Sequence, residues 1–247
     1  MPRANDDPPG LIRITGLTKT YGRLLALSEV AFSIRPGEVL GLIGPNGAGK
    51  TTLFECLAGV LPLDRGIVTL DSRPLTARQV NGHLFYVPDG IAPWPAESVR
   101  WALDYVIGFF GGPPDRWNDV VRRLDLTSLL DAPVGTLSKG QRKRVALAIG
   151  MLTPQPVLLV DEPFDGLDLR QSRDAAAALH THATEGRTLV LSIHQIADAA
   201  RVCDRFVLLS NGRVKGEGNT TELAALAAAR GHAPTGTALD EVFLALT

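Results

Sequence analysis

Alternation of hydrophobic and polar residues marks the first part of the chain. The alternating apolar positions are Ile12, Ile14, Leu25, Leu27, Val30, Phe32 and Ile34. A period of two residues is that of a β-strand, whose successive side chains point to opposite faces of a sheet. The pattern therefore predicts antiparallel strands over residues 11–34, which end at the turn of residues 35–38.

Further along, short uninterrupted apolar runs alternate with stretches of helical periodicity. The runs predict strands over residues 39–43, 66–71, 83–87, 157–161, 188–193, 205–210 and 213–215. The periodic stretches predict helices over residues 49–59, 98–110, 116–126, 140–152, 170–185 and 197–202. Asn211-Gly212 stands between the last two strands and predicts a type I′ hairpin, because both residue types tolerate positive φ.

The order of these elements predicts an α/β protein with helices on both faces of a mixed central sheet. We expect an antiparallel β subdomain at the N-terminal side and an inserted helical subdomain over about residues 90–152. Residues 1–10 are expected to be a flexible tail and residues 11–217 a single domain. Residues 218–247 are expected to form a short C-terminal extension.

Composition and charge exclude several classes of protein. The chain has 247 residues, 45% of them hydrophobic, and a net charge of −1, which gives no overall field that attracts nucleic acid. Two cysteines provide no disulfide framework, and the polar first ten residues lack the apolar core of a signal peptide. No apolar stretch is long enough to span a membrane. We therefore expect a cytoplasmic protein that binds no nucleic acid.

Residues 44–51 carry the most specific chemical signal. They are Gly44, Pro45, Asn46, Gly47, Ala48, Gly49, Lys50 and Thr51, which match the P-loop pattern G-x-x-x-x-G-K-[ST]. Such a turn points backbone N–H groups at one anion, and the helix after it adds its own unpaired N–H groups. Lys50 is expected to hold the β- and γ-phosphates, and the Thr51 hydroxyl to bind Mg²⁺. The predicted strand before the loop and helix after it are typical of a P-loop NTPase core.

A second part of the site follows the strand predicted over residues 157–161. Asp161 stands at its carboxyl end, where open α/β sheets bind ligands, and is our candidate Mg²⁺ ligand. Glu162 is expected to face the γ-phosphate and to polarise the attacking water. The alternative is a strand followed by an ordinary acidic turn, and the presence of the P-loop argues against it.

Three further motifs occur along the chain with the P-loop and the Asp161-Glu162 pair. In this order, the five motifs resemble those of the nucleotide-binding subunits of ABC transporters. The similarity runs over about residues 11–215. The matching residues are Leu137-Ser138-Lys139-Gly140-Gln141 (the signature sequence, with Lys139 where glycine is common), Gly166-Leu167-Asp168 (the D-loop) and His194 (the switch histidine). Tyr21 matches the aromatic residue that stacks on adenine, although by itself it is equally a loop tyrosine.

This resemblance implies an ATPase that uses ATP and Mg²⁺. Glu162 and His194 would be the catalytic residues, with His194 sensing the γ-phosphate. The metal ligands would be Thr51, Asp161 and Asp89. Besides the P-loop, nucleotide contacts would come from Tyr21, Thr52, Ser138, Gly140, Gln141 and Asp168.

Partners follow from the same resemblance. Ser138 and Gly140 at a helix N-terminus form a second anion site, although one chain needs only one such site for one nucleotide. We therefore expect two identical ATPase subunits that meet head to tail around two ATP molecules. The membrane-spanning part would be a separate permease, with this subunit peripheral on the cytoplasmic face of the inner or plasma membrane. The basic run of residues 142–144 either assists the second anion site or lies on a solvated helix face.

The sequence leaves alternatives open for the direction of transport and for the class of ATPase. Residues 239–244 resemble the close of exporter ATPases, which favours export of an unknown substrate. A soluble ABC ATPase that acts on ribosomes or DNA is the first rival, and the net charge of −1 argues against it. A regulatory ATP-dependent clamp that does not hydrolyse ATP is the second, and the presence of Glu162 and His194 argues against it.

Asp89 departs from the family, which usually has glutamine at this position. A carboxylate suits Mg²⁺, but it also adds negative charge near the phosphates. We therefore hypothesise that Asp89 changes how this loop responds to ATP.

Aromatic residues concentrate in the helical block. All three tryptophans, Trp94, Trp101 and Trp117, fall there, and Trp101, Tyr105 and Phe109 share one helix face at i, i+4 and i+8. The first interpretation is that this face packs inside the subdomain. The alternative is a groove for a short helix of the membrane partner, since aromatic side chains anchor interfaces.

Overall fold

The computed structural model describes residues 8–231 and 239–246. Most of the predicted N-terminal tail therefore lies outside the described residues, as does part of the predicted C-terminal extension. Within the described part of the chain, the strands form two sheets, and no helix is both long enough and apolar enough to cross a membrane.

An antiparallel sheet forms the N-terminal side, as the alternation predicted. It consists of β1 (Ile12–Tyr21), β2 (Leu24–Ile34), β4 (Arg65–Leu70) and β5 (Arg73–Pro74) in the order β2-β1-β4-β5. Ile12 lies opposite both Ile34 and Leu70, so the apolar positions of three strands fall on one face. That face is buried because it packs against the rest of the domain.

A larger sheet forms the centre of the protein. Its strands are β3 (Val39–Ile43), β6 (Leu84–Val87), β7 (Val157–Asp161), β8 (Thr188–Ile193), β9 (Arg205–Ser210) and β10 (Arg213–Gly218), in the order β10-β9-β3-β8-β7-β6. All neighbours are parallel except β9 and β10. The central strands are mostly apolar and buried along their whole length, because both faces of the sheet are covered. The carboxyl ends of β3 and β7 consequently lie at the same edge.

Helices cover both faces of the central sheet. They are α1 (Lys50–Leu57), α2 (Ala77–His83), α3 (Val99–Phe110), α4 (Trp117–Arg123), α5 (Lys139–Leu152), α6 (Leu169–Thr184), α7 (Ile196–Val202), α8 (Thr220–Ala229) and α9 (Leu239–Leu246). Side-chain caps begin several of them, including Ser138 for α5 and Asp168 for α6. The mixed α/β fold predicted from the element order is confirmed.

Three helices, α2, α8 and α9, were not predicted from the sequence pattern. The capping box of Thr76 and Gln79 that starts α2 is a local signal that was available in the sequence. Because α2 extends to His83, β6 begins at Leu84 rather than at the predicted residue 83. The C-terminal helices α8 and α9 pack on β10 and α7 and bury Leu223, Val242 and Leu246 in the main core.

The two faces of the central sheet contribute to different cores. Val39 and Ile43 of β3 belong to a core shared with the helical block and with α6 to α9. Leu40 and Leu42 point the other way, into a core with α1 and the antiparallel sheet. The helix α1 therefore lies between the two sheets, with Phe54 fully buried. This placement fixes the start of α1 beside the carboxyl end of β3.

The predicted hairpin at Asn211-Gly212 is confirmed. Both residues have positive φ, 49° and 68°, as a type I′ turn requires. The N–H of Gly212 donates to the carbonyl of Ala48 at 3.0 Å, and its carbonyl accepts from the N–H of Ser28 at 2.8 Å. A Cβ on Gly212 would lie only 2.4 Å from the carbonyl oxygen of Ala26, so the glycine is required here. This turn ties the antiparallel sheet to the loop before α1.

Candidate functional site

The loop between β3 and α1 has the conformation that the P-loop motif predicts. Gly47 and Gly49 have positive φ, and Gly49 occupies the N-cap of α1 without a side-chain cap. The first N–H groups of the helix are therefore free to bind an anion. Gly44 is needed for packing, since a Cβ there would lie 2.3 Å from the carbonyl oxygen of Leu209. The loop packs closely on the backbone of Leu209 at Gly44 and leaves the first backbone donors of α1 uncapped.

Lys50 folds back over this loop. Its ammonium group donates to the carbonyl of Gly44 at 2.8 Å and to that of Pro45 at 3.3 Å. The same nitrogen lies 3.7 Å from Oε1 of Glu162. The side chain is buried, so its charge is only weakly screened by solvent. A charged lysine thus stands at the centre of the loop with partners that a phosphate group could replace.

Asp161 is the most deeply buried carboxylate of the site, with 2% of its surface exposed. The hydroxyls of Thr51, Ser192 and Tyr86 all donate to it, the first at 2.7 Å and the last at 3.4 Å. Burial and the nearby Asp161 carboxylate raise the pKa of the Tyr86 phenol. Tyr86 therefore stays protonated and remains a donor at neutral pH.

The oxygens of Thr51 and Asp161 suit a hard divalent cation. Among the described residues there is no group of three or more His, Cys, Asp or Glu side chains that could hold a metal ion by itself. A cation at Thr51 and Asp161 would therefore take most of its remaining ligands from water and substrate phosphates, which is typical of Mg²⁺, and the predicted ligand Asp89 lines the same cleft. The donor set fits Mg²⁺ on this ground.

Glu162 and His194 are brought into contact at the same edge. Nδ1 of His194 lies 2.6 Å from Oε2 of Glu162. Glu162 has a φ of 48°, and its N–H donates to the carbonyl of Ser192 at 3.1 Å. The Glu162 side chain reaches toward Lys50, with Oε1 3.7 Å from the ammonium nitrogen. The two predicted catalytic residues thus form one pair beside the P-loop.

A cleft of about 600 Å³ joins these groups. Its predicted lining residues are Tyr21, Asn46, Gly47, Gly49, Lys50, Thr51, Thr52, Asp89, Asp161 and Glu162. The cleft is also lined by five residues that were not predicted to belong to the site, namely Leu24, Leu25, Ala26, Asn211 and Gly212. The hairpin glycine was predicted only as a turn, because its contact with the P-loop depends on the packing of the two sheets. Gly44, Pro45 and Ala48 belong to the loop but do not line the cleft.

The signature residues lie outside this cleft. The Ser138 hydroxyl accepts from the N–H of Gln141 at 3.2 Å, and Gln141 Oε1 accepts from the N–H of Ser138 at 2.8 Å. Gly140 packs against the carbonyl of Gly166, which a Cβ would approach to 2.8 Å. Asp168 caps α6 by accepting from the N–H of Gln171 at 2.8 Å. One chain therefore does not bring these four residues to the P-loop cleft, and their role in nucleotide binding stays a prediction.

Neither interpretation offered for the basic run of residues 142–144 fits two of its three members, Lys143 and Arg144. Lys143 and Arg144 are buried, so this is not a solvated face. Lys143 pairs with Asp89, and Arg144 donates to the carbonyls of Leu124 and Asp125. These cations are used inside the chain because the helix packs its basic side against the neighbouring loops. They are not available to a second anion site.

The aromatic face of α3 is exposed. Trp101, Tyr105 and Phe109 are 40%, 38% and 67% exposed, and their rings stack in sequence with centroids 5.1 and 5.6 Å apart. The first interpretation, that this face packs inside the subdomain, is therefore wrong. The helix has a second apolar face, with Ala102, Leu103 and Val106 buried, and that one packs inward. Trp94 packs edge-on against this row, with its ring centroid 5.8 Å from that of Trp101 and 5.0 Å from that of Tyr105.

Comparison with known proteins gives a consistent result. The family model described as ABC transporter matches residues 27–165. A hemin import ATP-binding protein of Thermobifida fusca is 33% identical over 226 residues, which cover 84% of this chain and 76% of that protein. A Nod factor export ATP-binding protein of Ralstonia nicotianae is 32% identical over 231 residues, which cover 88% of this chain and 72% of that protein. The solved structure of an ATP binding subunit of an ABC transporter superposes with a TM-score of 0.83 at 27% identity, covering 96% of this chain and 99% of that chain.

Proposed function

The chain belongs to the ATP-binding proteins of ABC transporters, and from this premise we propose how its residues bind and hydrolyse ATP. The protein is an ATPase whose activity powers transport across a membrane. The observation that carries our assignment of roles is that Lys50, the Thr51–Asp161 pair and Glu162 meet in one cleft, and that His194 contacts Glu162 from outside its lining.

Phosphate binding is assigned to the P-loop. Its free N–H groups and those at the start of α1 would surround the β-phosphate, since no side chain caps the helix. Lys50 would exchange the carbonyls of Gly44 and Pro45 for phosphate oxygens, because its ammonium is attracted more strongly to a charged phosphate than to neutral carbonyl oxygens. Thr51 and Asp161 would hold Mg²⁺, which neutralises phosphate charge when bound.

Hydrolysis is assigned to Glu162 and His194. Glu162 contacts both Lys50 and His194. Recruitment of Lys50 to the phosphates would leave one carboxylate oxygen free to accept a proton from water. His194 is half-exposed at the cleft edge, where its ring could donate to the γ-phosphate.

Adenine binding is assigned to the apolar end of the cleft. Tyr21, Leu24 and Leu25 are large and exposed there, and the Lys19 ammonium lies 5.6 Å from the centre of the Tyr21 ring. A flat base could cover these side chains and remove them from water. The contacts of Asn46 and Thr52 would fix the sugar and phosphates beside it.

We infer a homodimer in which each ATP lies between the P-loop of one subunit and Ser138 of the other. The separation of Ser138 from the P-loop cleft within one chain supports this arrangement. A mixing experiment tests it. Lys50→Met and Ser138→Arg proteins should each be inactive alone, because every site contains one damaged half. Their mixture should regain about a quarter of wild-type ATPase activity, since half of the dimers carry one intact site of two.

Ser128→Arg is the matched control for the mixing experiment. Ser128 is exposed in the same helical block and lies outside the cleft. This variant should retain full activity alone. Absence of recovery on mixing, or full activity of Ser138→Arg by itself, would contradict the shared site.

The membrane permease is proposed to bind the aromatic row of α3. Isolated exposed apolar residues are common on proteins, but a stacked row of three rings is an anchor for a partner. Alanine at Trp101, Tyr105 and Phe109 together should abolish recovery of the protein with membranes that contain its permease. Basal ATPase activity should remain, because these side chains do not line the cleft.

Leu244→Ala is a suitable control for this experiment. Leu244 is also highly exposed but lies on α9. It should leave membrane recovery unchanged. Equal recovery of the triple variant and the wild type in sedimentation would rule out the aromatic row as the docking site.

Direction of transport stays a prediction. The relatives named for import and for export are almost equally similar to this chain, so overall identity does not choose between them. The resemblance of residues 239–244 to exporter ATPases supports export. We propose that the subunit works on the cytoplasmic face of the membrane, where ATP is available.

A further inference from the structure

Asp89 and Lys143 form an ion pair at the border of the nucleotide cleft. Asp89 follows β6, and Lys143 lies in the second turn of α5. Nζ of Lys143 is 2.6 Å from Oδ1 of Asp89 and 3.4 Å from the carbonyl oxygen of Asp161. The Lys143 side chain is only 5% exposed, whereas that of Asp89 is 38% exposed. A buried ammonium is therefore held by one partly accessible carboxylate and by the backbone of the proposed metal ligand.

The pair changes the charge of the cleft. Three carboxylates, those of Asp89, Asp161 and Glu162, line it together with the single ammonium of Lys50. A triphosphate adds further negative charge to the same space. Lys143 does not line the cleft, but its contact with Asp89 offsets one carboxylate from behind. Lys143 is therefore the counter-ion of Asp89.

Asp89 also borders a second, smaller cavity. This space of about 140 Å³ lies between the loop after β6 and α5, and its lining includes Ile91, Lys143 and Ala146. Asp89 thus has open space on the side of α5 as well as on the side of the nucleotide. A modest rotation of its side chain could exchange one neighbour for the other.

We propose that Lys143 is a positioning residue that restrains the Asp89 carboxylate and cancels its charge, and that Lys143 and bound Mg²⁺ compete for this carboxylate. The proposal rests on the assignment of Thr51 and Asp161 as the Mg²⁺ site. Occupation of that site weakens the hold of Asp89 on α5. Because Ser138 caps the start of α5, the pair connects the metal to the surface that is proposed to face the second subunit.

Nucleotide binding without metal gives a test that does not depend on hydrolysis. Fluorescent N-methylanthraniloyl-ADP is titrated into the purified protein in EDTA. Lys143→Met leaves the Asp89 charge uncompensated and should weaken binding about tenfold. Asp89→Asn leaves the Lys143 charge uncompensated and should strengthen binding by a similar factor. The double variant should return to within about threefold of the wild type, because both charges are gone.

A magnesium titration tests the competition itself. With the same nucleotide, Lys143→Met should need less Mg²⁺ for half-saturation, since Asp89 is then free to approach the metal. Lys143→Arg keeps the charge and should restore the wild-type requirement. An unchanged Mg²⁺ requirement in Lys143→Met would overturn the competition.

Arg144→Met is the matched control for Lys143→Met, because it also removes a buried cation from α5. Arg144 is the next residue of α5 and is similarly buried, but it pairs with Asp125 outside the cleft. It should lower the melting temperature without altering metal-free binding. If Lys143→Met and Asp89→Asn both weakened metal-free nucleotide binding, the role of the ion pair would be purely structural, and the proposal would be overturned.

Two further outcomes separate the possible failures. If Lys143→Met does not fold, the nucleotide affinity of Asp89→Asn without metal tests the proposal by itself. An affinity equal to or weaker than that of the wild type then overturns the proposal. If Lys50→Met binds the nucleotide as tightly as the wild type, the proposed phosphate site itself is wrong.

Discussion

The Glu162→Gln variant is expected to bind ATP normally and to hydrolyse it at least about a hundredfold more slowly than the wild type. General base catalysis contributes about 10²–10⁴-fold to enzymatic rates, and glutamine cannot accept the proton of water. The amide has the same shape as the carboxylate and can still contact His194, which lies 2.6 Å away. The fold and the nucleotide affinity should therefore be preserved. Phosphate release under saturating ATP measures the effect.

A carboxylate outside the cleft provides the control for this result. Glu97→Gln removes an exposed carboxylate outside the cleft and should leave the rate unchanged. ATP should also accumulate in the Glu162→Gln protein, because binding persists while hydrolysis is slow. A rate close to that of the wild type would mean that another group activates water.

The Lys50→Met variant is expected to lose about a hundredfold or more in ATP affinity. The ammonium group lies at the centre of the P-loop, and charge-assisted bonds to phosphate are about twice as strong as neutral ones. Methionine retains the length and the apolar stem of lysine, so the buried side chain is still filled. Equilibrium titration with a fluorescent ATP analogue measures the loss.

Stability must be followed in the same variant. Removal of the ammonium leaves the carbonyls of Gly44 and Pro45 without their donor, which costs on the order of 1 kcal/mol for each bond. A small decrease in melting temperature is therefore consistent with the expected loss of affinity. Lys215→Met on β10 is the control and should bind ATP as the wild type does. Full affinity in Lys50→Met would contradict the assignment of the phosphate site.

Local signals identified much of the candidate site. The glycines of residues 44–49 specify a turn that only small residues with positive φ can form, so the motif and its conformation coincide. Asp161 and Glu162 follow an apolar strand, and parallel strands place their carboxyl ends at one edge. The Asn211-Gly212 turn was equally local. Such features are predictable because the residues that determine them are neighbours in sequence.

The predictions that proved wrong concern which faces of α3 and α5 are buried, and these depend on long-range packing. Helix α3 is apolar on two faces, so periodicity could not decide whether the aromatic row or the stripe with Leu103 and Val106 would be buried. The stripe is buried because it fits against α5, and the larger aromatic rings remain outside. The basic residues of α5 were read as surface charges because their partners, Asp89 and Asp125, are distant in sequence.

The sequence by itself determined the α/β class, the P-loop and the acidic residues that belong with it. These depend on short-range rules of backbone conformation and on the order of strands and helices. Only the tertiary structure decided which surfaces stay exposed and which charges are paired, because both depend on contacts between distant segments. It placed Gly212 against the P-loop and Lys143 behind Asp89, and it left Ser138 outside the cleft. The local pattern specifies the chemical groups, whereas packing sets which of them meet.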